Sequence, residues 1–273
     1  MLREWGDGPP VVFLHSMGPV SSGAMVGAGV DPLVAAGFRV IAPDLPGYGD
    51  TPARAPDDYQ VGRLASWMWE VVAADGLDEV VLVGHSWGGS IACHMHAQHP
   101  ERVESLVLVD SGHLDYADVL GADLALTLDE WVARAAERRL RVADEAALAD
   151  ALEIEPHDSM LGLFLLGMED AGDGTLVSRV RPESQGAALY HLARARQSDT
   201  WEAIAESQTP TLLLLATEPP PALEQNETGA QRFLAVVPHA DVRFVPGATH
   251  SLVTDLRNEF GSIVATWLTN CGK

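Results

Sequence analysis

The 273-residue sequence predicts an α/β fold in which a mostly parallel, doubly wound sheet of about seven strands is covered by helices on both faces. Two observations predict it. Short runs of apolar, β-branched residues alternate with longer stretches of helical periodicity, and such runs are typical of strands buried on both faces of a parallel sheet. The alternation stops between residues 113 and 207, which favours a helical segment inserted between two strands.

The first part of the chain supplies most of the strands. Apolar runs bounded by turn residues predict strands at 11–15, 38–42, 80–83 and 103–109, with 2–5 as a further candidate. Residues 58–75 carry apolar side chains at i, i+3, i+4 and i+7, which predicts an amphipathic helix. A second helix is predicted at 87–98, directly after the third of these strands.

The inserted segment, residues 113–207, offers no convincing strand. Thr127–Glu130 has the pattern of a capping box, in which the threonine and glutamate side chains bond to each other's backbone N–H groups at the start of a helix. Two further stretches also have helical character, 144–153 and 183–197. We therefore predict a helical cap (lid) at 113–207, inserted into a core formed by residues 1–112 and 208–273.

Two strands and a final helix complete the predicted core. Apolar runs predict the strands at residues 211–215 and 242–245, and an apolar stripe predicts the helix at 255–269. Because these strands are again short and apolar, we expect them to join the same sheet, which then has about seven strands.

The charge of the chain excludes several classes of partner. It has 17 Lys and Arg against 39 Asp and Glu, a formal net charge of −22. Nucleic-acid binders carry basic patches, and anionic membranes attract clusters of Lys and Arg. We therefore expect no nucleic-acid partner and no membrane partner. We expect instead that the chain binds a small-molecule substrate and that it is a monomer or a homodimer.

Cysteine usage and the first residues predict a cytoplasmic location. Cys93 and Cys271 are the two cysteines, and they form neither a Cys-x-x-Cys pair nor a zinc-binding spacing, which favours isolated thiols in a reducing compartment. The first residues lack the apolar run of a signal peptide, and no stretch of about 18 apolar residues predicts a membrane-spanning helix.

The sequence Gly84-His85-Ser86-Trp87-Gly88 stands where the strand at 80–83 ends and a helix begins. This is the Gly-x-Ser-x-Gly pattern of a nucleophile elbow in its required strand–turn–helix context. The serine must occupy a tight, strained turn that exposes its Oγ, and side chains at either glycine would crowd that turn. The start of the helix directs its positive end at an oxyanion formed beside the serine.

Four further motifs stand in order around this elbow: His15–Gly18, Asp44–Gly49, Pro100–Val103 and Gly247–His250. With the elbow they resemble, over nearly the whole chain, the α/β-hydrolase superfamily, in its serine-nucleophile, esterase- or lactonase-like branch with a helical cap. Family members usually have two strands before the one at 11–15, whereas only residues 2–5 are available here. We therefore expect either a sheet that is one strand short or a misplaced start codon.

The resemblance implies the remaining catalytic groups. The nucleophile is Ser86, and the base is His250, in the last loop before the C-terminal helix. The oxyanion hole consists of two backbone N–H groups, that of Trp87, after the nucleophile, and that of Met17. Ser16 stands here where the family usually has a glycine.

The acid that completes a catalytic triad stays open. The family usually carries it after the strand at 211–215, but Pro219 occupies that position and Glu218 lies one residue early. Another branch carries the acid directly after the strand that follows the elbow helix, where this chain has Asp110. Either position brings a carboxylate to Nδ1 of the histidine. Asp110 is our first choice, Glu218 the second, and others such as Asp115 come after them.

No metal and no organic cofactor is expected. His94, His96 and His99 lie on one predicted helix, but only His96 and His99 share a face, and no carboxylate stands beside them. A serine at the elbow also argues against the branches of this fold that use an aspartate nucleophile, the dehalogenases and epoxide hydrolases.

The sequence thus predicts a serine hydrolase that cleaves a small, largely apolar carboxylic ester or lactone through an acyl-enzyme. One alternative is a hydrolase that cleaves a carbon–carbon bond in a diketone-like substrate with the same triad. Another is a small-molecule receptor on a hydrolase fold. The apolar run Met160–Met168 in the predicted cap either lines the substrate pocket or packs the cap's own core.

Overall fold

The computed structural model of the chain describes residues 1–18, 29–155 and 158–271. Its first part alternates strands and helices as the apolar pattern predicts. In chain order the elements are β1 (Leu2–Trp5), β2 (Pro10–Leu14), α1 (Val30–Ala35), β3 (Arg39–Pro43), α2 (Val61–Ala74), β4 (Val80–His85), α3 (Trp87–Gln98) and β5 (Val103–Val109).

The segment between β5 and the next core strand is mostly helical. Its elements are α4 (Ala117–Leu120), α5 (Leu128–Glu137), β6 (Arg141–Val142), α6 (Glu145–Ala151), α7 (Ser159–Leu165), β7 (Met168–Asp170), β8 (Leu176–Ser178), α8 (Pro182–Arg194) and α9 (Trp201–Ser207). The predicted capping box is present at the start of α5, where Thr127 accepts a hydrogen bond from the backbone N–H of Glu130.

The expectation that this segment contains no strand was wrong. β6, β8 and β7 form a small antiparallel sheet in that order. These strands have two or three residues, too few to display an alternating pattern. A turn containing Gly172 and Gly174, both with positive φ, joins β7 to β8, and this Gly-Asp-Gly sequence is the hairpin signal that was overlooked.

The core resumes with β9 (Thr211–Ala216), α10 (Pro220–Val236), β10 (Asp241–Val245), α11 (Leu252–Leu256) and α12 (Asn258–Cys271). Helix α10 was not predicted. It begins at Pro220, and proline is favoured in the first turn of a helix because the N–H it lacks would have no partner there. The single helix predicted at 255–269 is divided at Arg257, whose φ is +49°.

Within the described residues the main sheet has seven strands in the order β1-β3-β2-β4-β5-β9-β10. β1 pairs antiparallel with β3, and the other neighbours pair in parallel. This confirms the predicted fold class. The strand that precedes the elbow, β4, lies at the centre, so its carboxyl end meets those of β2 and β5 at one edge of the sheet.

Helices cover both faces of this sheet, as its apolar strands require. All six residues of β4 are buried. Leu82 packs on the face covered by α2 and α3, whereas Val81 and Val83 pack on the face covered by α1 and α12. A strand that is apolar on both faces therefore holds the elbow between two cores, and the position of the elbow is rigid as a consequence.

Two further sequence predictions concern the cysteines and membrane-spanning helices. Cys93 is buried, and both it and Cys271 are free thiols. Within the described ranges, none of the helices is both long enough and apolar enough to cross a membrane.

Candidate active site

Ser86 occupies a strained turn between β4 and α3. Its φ is +54° and its ψ −118°, a combination that a residue with a side chain adopts only when its surroundings impose it. A Cβ at Gly84 would lie 2.5 Å from the carbonyl oxygen of Gly88, and one at Gly88 would lie 2.1 Å from that of Leu14. Gly84 is therefore needed for the backbone to turn this tightly, and Gly88 for the start of α3 to approach the end of β2.

Three side chains from different loops form a hydrogen-bonded chain. Nε2 of His250 lies 2.9 Å from Oγ of Ser86, and Nδ1 of His250 lies 2.6 Å from Oδ2 of Asp110. The Asp110 side chain is 8% exposed, whereas that of His250 is 57% exposed. The structure thus brings together the predicted nucleophile, the predicted base and the first-choice acid in the order that proton transfer from a serine requires.

Asp110 is held as a carboxylate. Its Oδ1 accepts hydrogen bonds from the backbone N–H of Ala216 at 3.0 Å and from Nδ2 of Asn226 at 2.9 Å. Burial raises the pKa of Asp110, but the hydrogen bonds from His250 and Ala216, with the attraction of His250 and His113, outweigh burial and leave that pKa below its ordinary value. Its φ of +45° is a second strained backbone angle in the site.

Glu218, the second-choice acid, is exposed. Among the described residues no hydrogen bond or ion pair joins its carboxylate to His250. Its backbone N–H instead donates to the carbonyl of Ala248 at 2.9 Å. The loop after β9 therefore supports the loop that carries His250 (the histidine loop) through its backbone rather than through the glutamate side chain. Asp115 lies elsewhere, bonded to the backbone N–H and hydroxyl of Ser198.

His85 fastens the histidine loop to the elbow. Its Nε2 donates to the backbone carbonyl of His250 at 2.7 Å. Burial, with the nearby His250, lowers the pKa of His85 to about 4, so the ring is neutral at pH 7 and donates through a single N–H. From the other side, Oδ2 of Asp255 accepts from the backbone N–H and the hydroxyl of Thr249.

The two predicted oxyanion donors lie on neighbouring segments. Trp87 is the first residue of α3, and its fully buried ring packs against Tyr48. The Met17 loop leaves β2 next to this helix, because Gly88 abuts the carbonyl of Leu14. Before that loop, His15 accepts from the backbone N–H of Leu45 and donates to the carbonyl of Ser16, so it fastens two loops together.

A cavity of about 590 Å³ adjoins this constellation. Its walls come from the Met17 loop, His85, the histidine loop with its short helix, and the inserted segment: Ser16, Met17, Gly18, His85, Leu152, Glu153, Ile154, Met160, Phe164, Thr249, Ser251, Thr254, Asp255 and Arg257. Of the apolar run 160–168, Met160 and Phe164 line the cavity, whereas Leu161 and Met168 pack in the segment's own core. Each of the two roles considered for that run therefore applies to part of it.

Sequence reasoning missed three residues of the site, namely Asn226, His113 and Tyr116. Tyr116 is hydrogen-bonded with Ser86 and Ser111, and these bonds partly offset the rise that burial gives to the pKa of its phenol. A signal for Asn226 existed, because it shares one buried face of α10 with Gly229, Ala230 and Phe233, and a polar side chain on such a face needs a partner.

No metal-binding group stands out in the described part of the chain: it contains no cluster of three or more His, Cys, Asp or Glu side chains suited to a metal ion. His94 and His96 lie on α3, whereas His99 directly follows it; His96 is buried, and its Nε2 lies 2.9 Å from Oγ1 of Thr209. Its environment is that of a core histidine with a hydroxyl partner.

The family model for the alpha/beta hydrolase fold matches residues 9–155. The match covers more than half of the 273 residues. The chain belongs to the alpha/beta hydrolase family. The elbow, the Met17 loop and Asp110 all lie within the matched range.

The curated relatives of this alpha/beta hydrolase have different activities in their names. It is 34% identical over 124 residues to 2-hydroxymuconate semialdehyde hydrolase of Pseudomonas putida, covering 45% of this chain and 44% of that protein. It is 37% identical over 110 residues to pimeloyl-[acyl-carrier protein] methyl ester esterase of Aeromonas hydrophila, covering 40% of this chain and 41% of that protein. The chain thus matches less than half the length of these relatives.

Solved structures resemble the chain over nearly its whole length. An esterase from Exiguobacterium antarcticum matches with a TM-score of 0.73 at 19% identity, covering 98% of this chain and 95% of that one. E-2-(acetamidomethylene)succinate hydrolase matches with a TM-score of 0.72 at 22% identity, covering 98% and 93%. At such identities the likeness shows the shared fold alone.

Proposed function

We propose that this alpha/beta hydrolase is a serine hydrolase that cleaves small, largely apolar carboxylic esters or lactones. The hydrogen-bonded chain from Ser86 through His250 to Asp110 carries the proposal. It stands at a strained elbow, where the serine Oγ is held against the general base that would activate it.

In the proposed mechanism His250 removes the proton of Ser86 as Oγ attacks the substrate carbonyl. Asp110 orients the imidazole and stabilises the imidazolium that forms. The backbone N–H groups of Trp87 and Met17 bind the developing oxyanion. His250 then protonates the leaving alcohol, and a water molecule activated by the same imidazole hydrolyses the acyl-enzyme.

The cavity supports the proposed substrate class. At about 590 Å³ it has the size of a small-molecule site, and its wall from the inserted segment includes Leu152, Ile154, Met160 and Phe164. These side chains favour an apolar acyl or alkyl group. The part of the wall that comes from the loop carrying His250 has hydroxyl groups, those of Thr249, Ser251 and Thr254, which suit the polar part of an ester.

A second candidate is cleavage of a carbon–carbon bond in a diketone-like substrate. It is supported by the similarity to 2-hydroxymuconate semialdehyde hydrolase. The reaction would use the same three residues, Ser86, His250 and Asp110. The charge of the cavity wall favours an uncharged substrate over a diketone or an ester that carries a carboxylate. Glu153 and Asp255 line the cavity, and the guanidinium of Arg257 is already paired with Asp158, so a substrate carboxylate meets net repulsion.

The other expectations from the sequence remain proposals. They are a cytoplasmic location, a small-molecule substrate without a nucleic-acid or membrane partner, and a monomer or homodimer. None of them alters the chemistry proposed for the site.

A fluorophosphonate label followed by a substrate panel tests the function. We expect stoichiometric labelling of Ser86 in the wild type, no labelling of Ser86→Ala, and turnover of short p-nitrophenyl esters or neutral lactones. Ser90→Ala, which changes another serine near the start of α3, is the control and should label normally. Labelling without ester turnover, together with turnover of a diketone, would establish the second candidate. A wild type that does not label would rule out a reactive serine.

A further inference from the structure

Both polar atoms of the Asn226 side-chain amide make hydrogen bonds beside Asp110, the proposed acid. Its Nδ2 donates to Oδ1 of Asp110 at 2.9 Å and to the carbonyl oxygen of Ala216 at 3.0 Å. Its Oδ1 accepts from Nε2 of His113 at 2.9 Å. The Asn226 side chain thus makes three hydrogen bonds in a place where it is only 5% exposed.

Chemistry allows only one orientation of this amide. A carboxylate and a backbone carbonyl can only accept hydrogen bonds, so the NH₂ group must face Asp110 and Ala216. The oxygen then faces His113, whose Nε2 must carry the proton. Burial lowers the pKa of His113, which keeps the ring neutral with one N–H to give.

Close packing brings Asn226 to this position. Gly229 lies one turn further along the same face of α10, and a Cβ there would come within 2.7 Å of Cδ2 of His113 and 2.5 Å of Cδ2 of Leu114. The absence of a side chain at Gly229 therefore lets α10 lie against the segment that follows Asp110. The helix directly after the second-choice acid position supplies a donor to the first-choice acid.

We infer that Asn226 is a positioning residue, whose amide, itself oriented by His113, fixes the rotation of the Asp110 carboxylate so that Oδ2 faces Nδ1 of His250. With the backbone N–H of Ala216 it occupies Oδ1 and leaves Oδ2 to the imidazole. Asn226 touches neither Ser86 nor His250 and acts through Asp110 alone. The catalytic consequence rests on the proposed function, whereas the effect on His250 does not.

The first test compares Asn226→Leu with Gln225→Leu, which makes the same change at the neighbouring, exposed position of α10. Loss of a donor to a buried carboxylate should lower kcat about 10- to 100-fold, with KM within about twofold because the substrate is not touched. The Nδ1–H proton resonance of His250, observed by NMR, should move upfield, because a carboxylate that is free to rotate makes a longer hydrogen bond to Nδ1. Gln225→Leu should change neither quantity.

A second, isosteric variant covers the case in which leucine prevents folding. In Asn226→Asp the new side chain can donate to Asp110 only while it is protonated, because an ionised carboxylate only accepts hydrogen bonds. Once it ionises, it repels the neighbouring carboxylate of Asp110. Its kcat should therefore fall with rising pH along a limb that is absent from the wild type and from Gln225→Glu.

The inference is overturned if Asn226→Leu matches Gln225→Leu in kcat and in the Nδ1–H resonance of His250. If Asn226→Leu does not fold, an Asn226→Asp profile that superimposes on that of Gln225→Glu overturns it. The Nδ1–H resonance of His250 is measured without substrate. A wild type without esterase activity but with the expected shift in Asn226→Leu would therefore refute the proposed function and leave this inference standing.

Discussion

The carboxyl ends of β5 and β9 lie side by side in the sheet and each is followed by a carboxylic acid, yet the two acids have opposite environments. These strands pair in parallel, from Leu106 opposite Thr211 to Val109 opposite Leu214. Asp110, at the end of β5, is 9% exposed and hydrogen-bonded to His250. Glu218, after β9, is exposed and makes no hydrogen bond or ion pair with His250 within the described residues.

Proximity to the histidine loop therefore does not by itself make a carboxylate a partner of the histidine. The end of β9 supplies one hydrogen-bond donor, the N–H of Ala216, and the helix after it, α10, supplies a second, the amide of Asn226, whereas the end of β5 supplies the acceptor. A buried carboxylate needs such donors to remain ionised. The acid thus follows one strand, and the groups that hold it come from the neighbouring strand and from α10.

The largest effect should come from neutralising each acid in turn. Asp110→Asn should lower kcat about 10⁴-fold, because an amide at this position cannot stabilise the imidazolium and favours the wrong tautomer of His250. Glu218→Gln should change kcat less than about twofold. Both are measured by steady-state kinetics on the best ester, with active sites counted by fluorophosphonate. A reversed result would make Glu218 the acid and break the comparison.

A smaller effect should follow from moving the donors away from Asp110. Gly229→Ala places a methyl group against His113 and Leu114, which should lower the free energy of unfolding by about 1–3 kcal/mol. It should also lower kcat about 10-fold as the hydrogen bond from Asn226 lengthens. Urea denaturation and kinetics measure the two quantities.

Gly162→Ala is the matched control for that substitution, because a Cβ at this exposed position of α7 meets nothing within 4 Å. It should leave kcat unchanged and stabilise the helix by up to about 1 kcal/mol. If Gly229→Ala behaves in the same way, close packing of α10 is not what holds Asn226 against Asp110.

The smallest effect concerns stability at low pH. The pKa of Asp110 in the folded protein lies below its ordinary value of 3.8, so ionised Asp110 contributes stability above that pH and loses the contribution as the pH falls through the folded pKa. The difference in unfolding free energy between the wild type and Asp110→Asn should therefore shrink as the pH is lowered below 3.8. Urea titrations at pH 7, 5 and 3 measure it, with Glu218→Gln as reference. A pH-independent difference would contradict the lowered pKa.

The sequence predicted the main sheet well because its strands are buried on both faces. Continuous β-branched and apolar runs leave little doubt about strands such as β4 and β5. The small sheet of β6, β7 and β8 was missed because two or three residues show no period. Helix α10 was missed because it begins with Pro220 and Pro221, and consecutive prolines also indicate a loop.

For the candidate site, local patterns indicated Ser86 and His250 but not their surroundings. The glycines of the elbow indicate a turn whose geometry is local, and so a pattern of five residues is enough to predict it. His85, His113 and Asn226 act through contacts between distant parts of the chain, 165 residues apart in the case of His85 and His250. No short pattern records such contacts.

By itself, the sequence determined the alternation of strands and helices, the family, and the strained turn at Ser86, because each depends on residue types within a short window. Which carboxylate meets His250 follows from the packed structure alone. That choice depends on burial and on donors from a neighbouring strand and helix, and both exist only once β5, β9 and α10 are packed together.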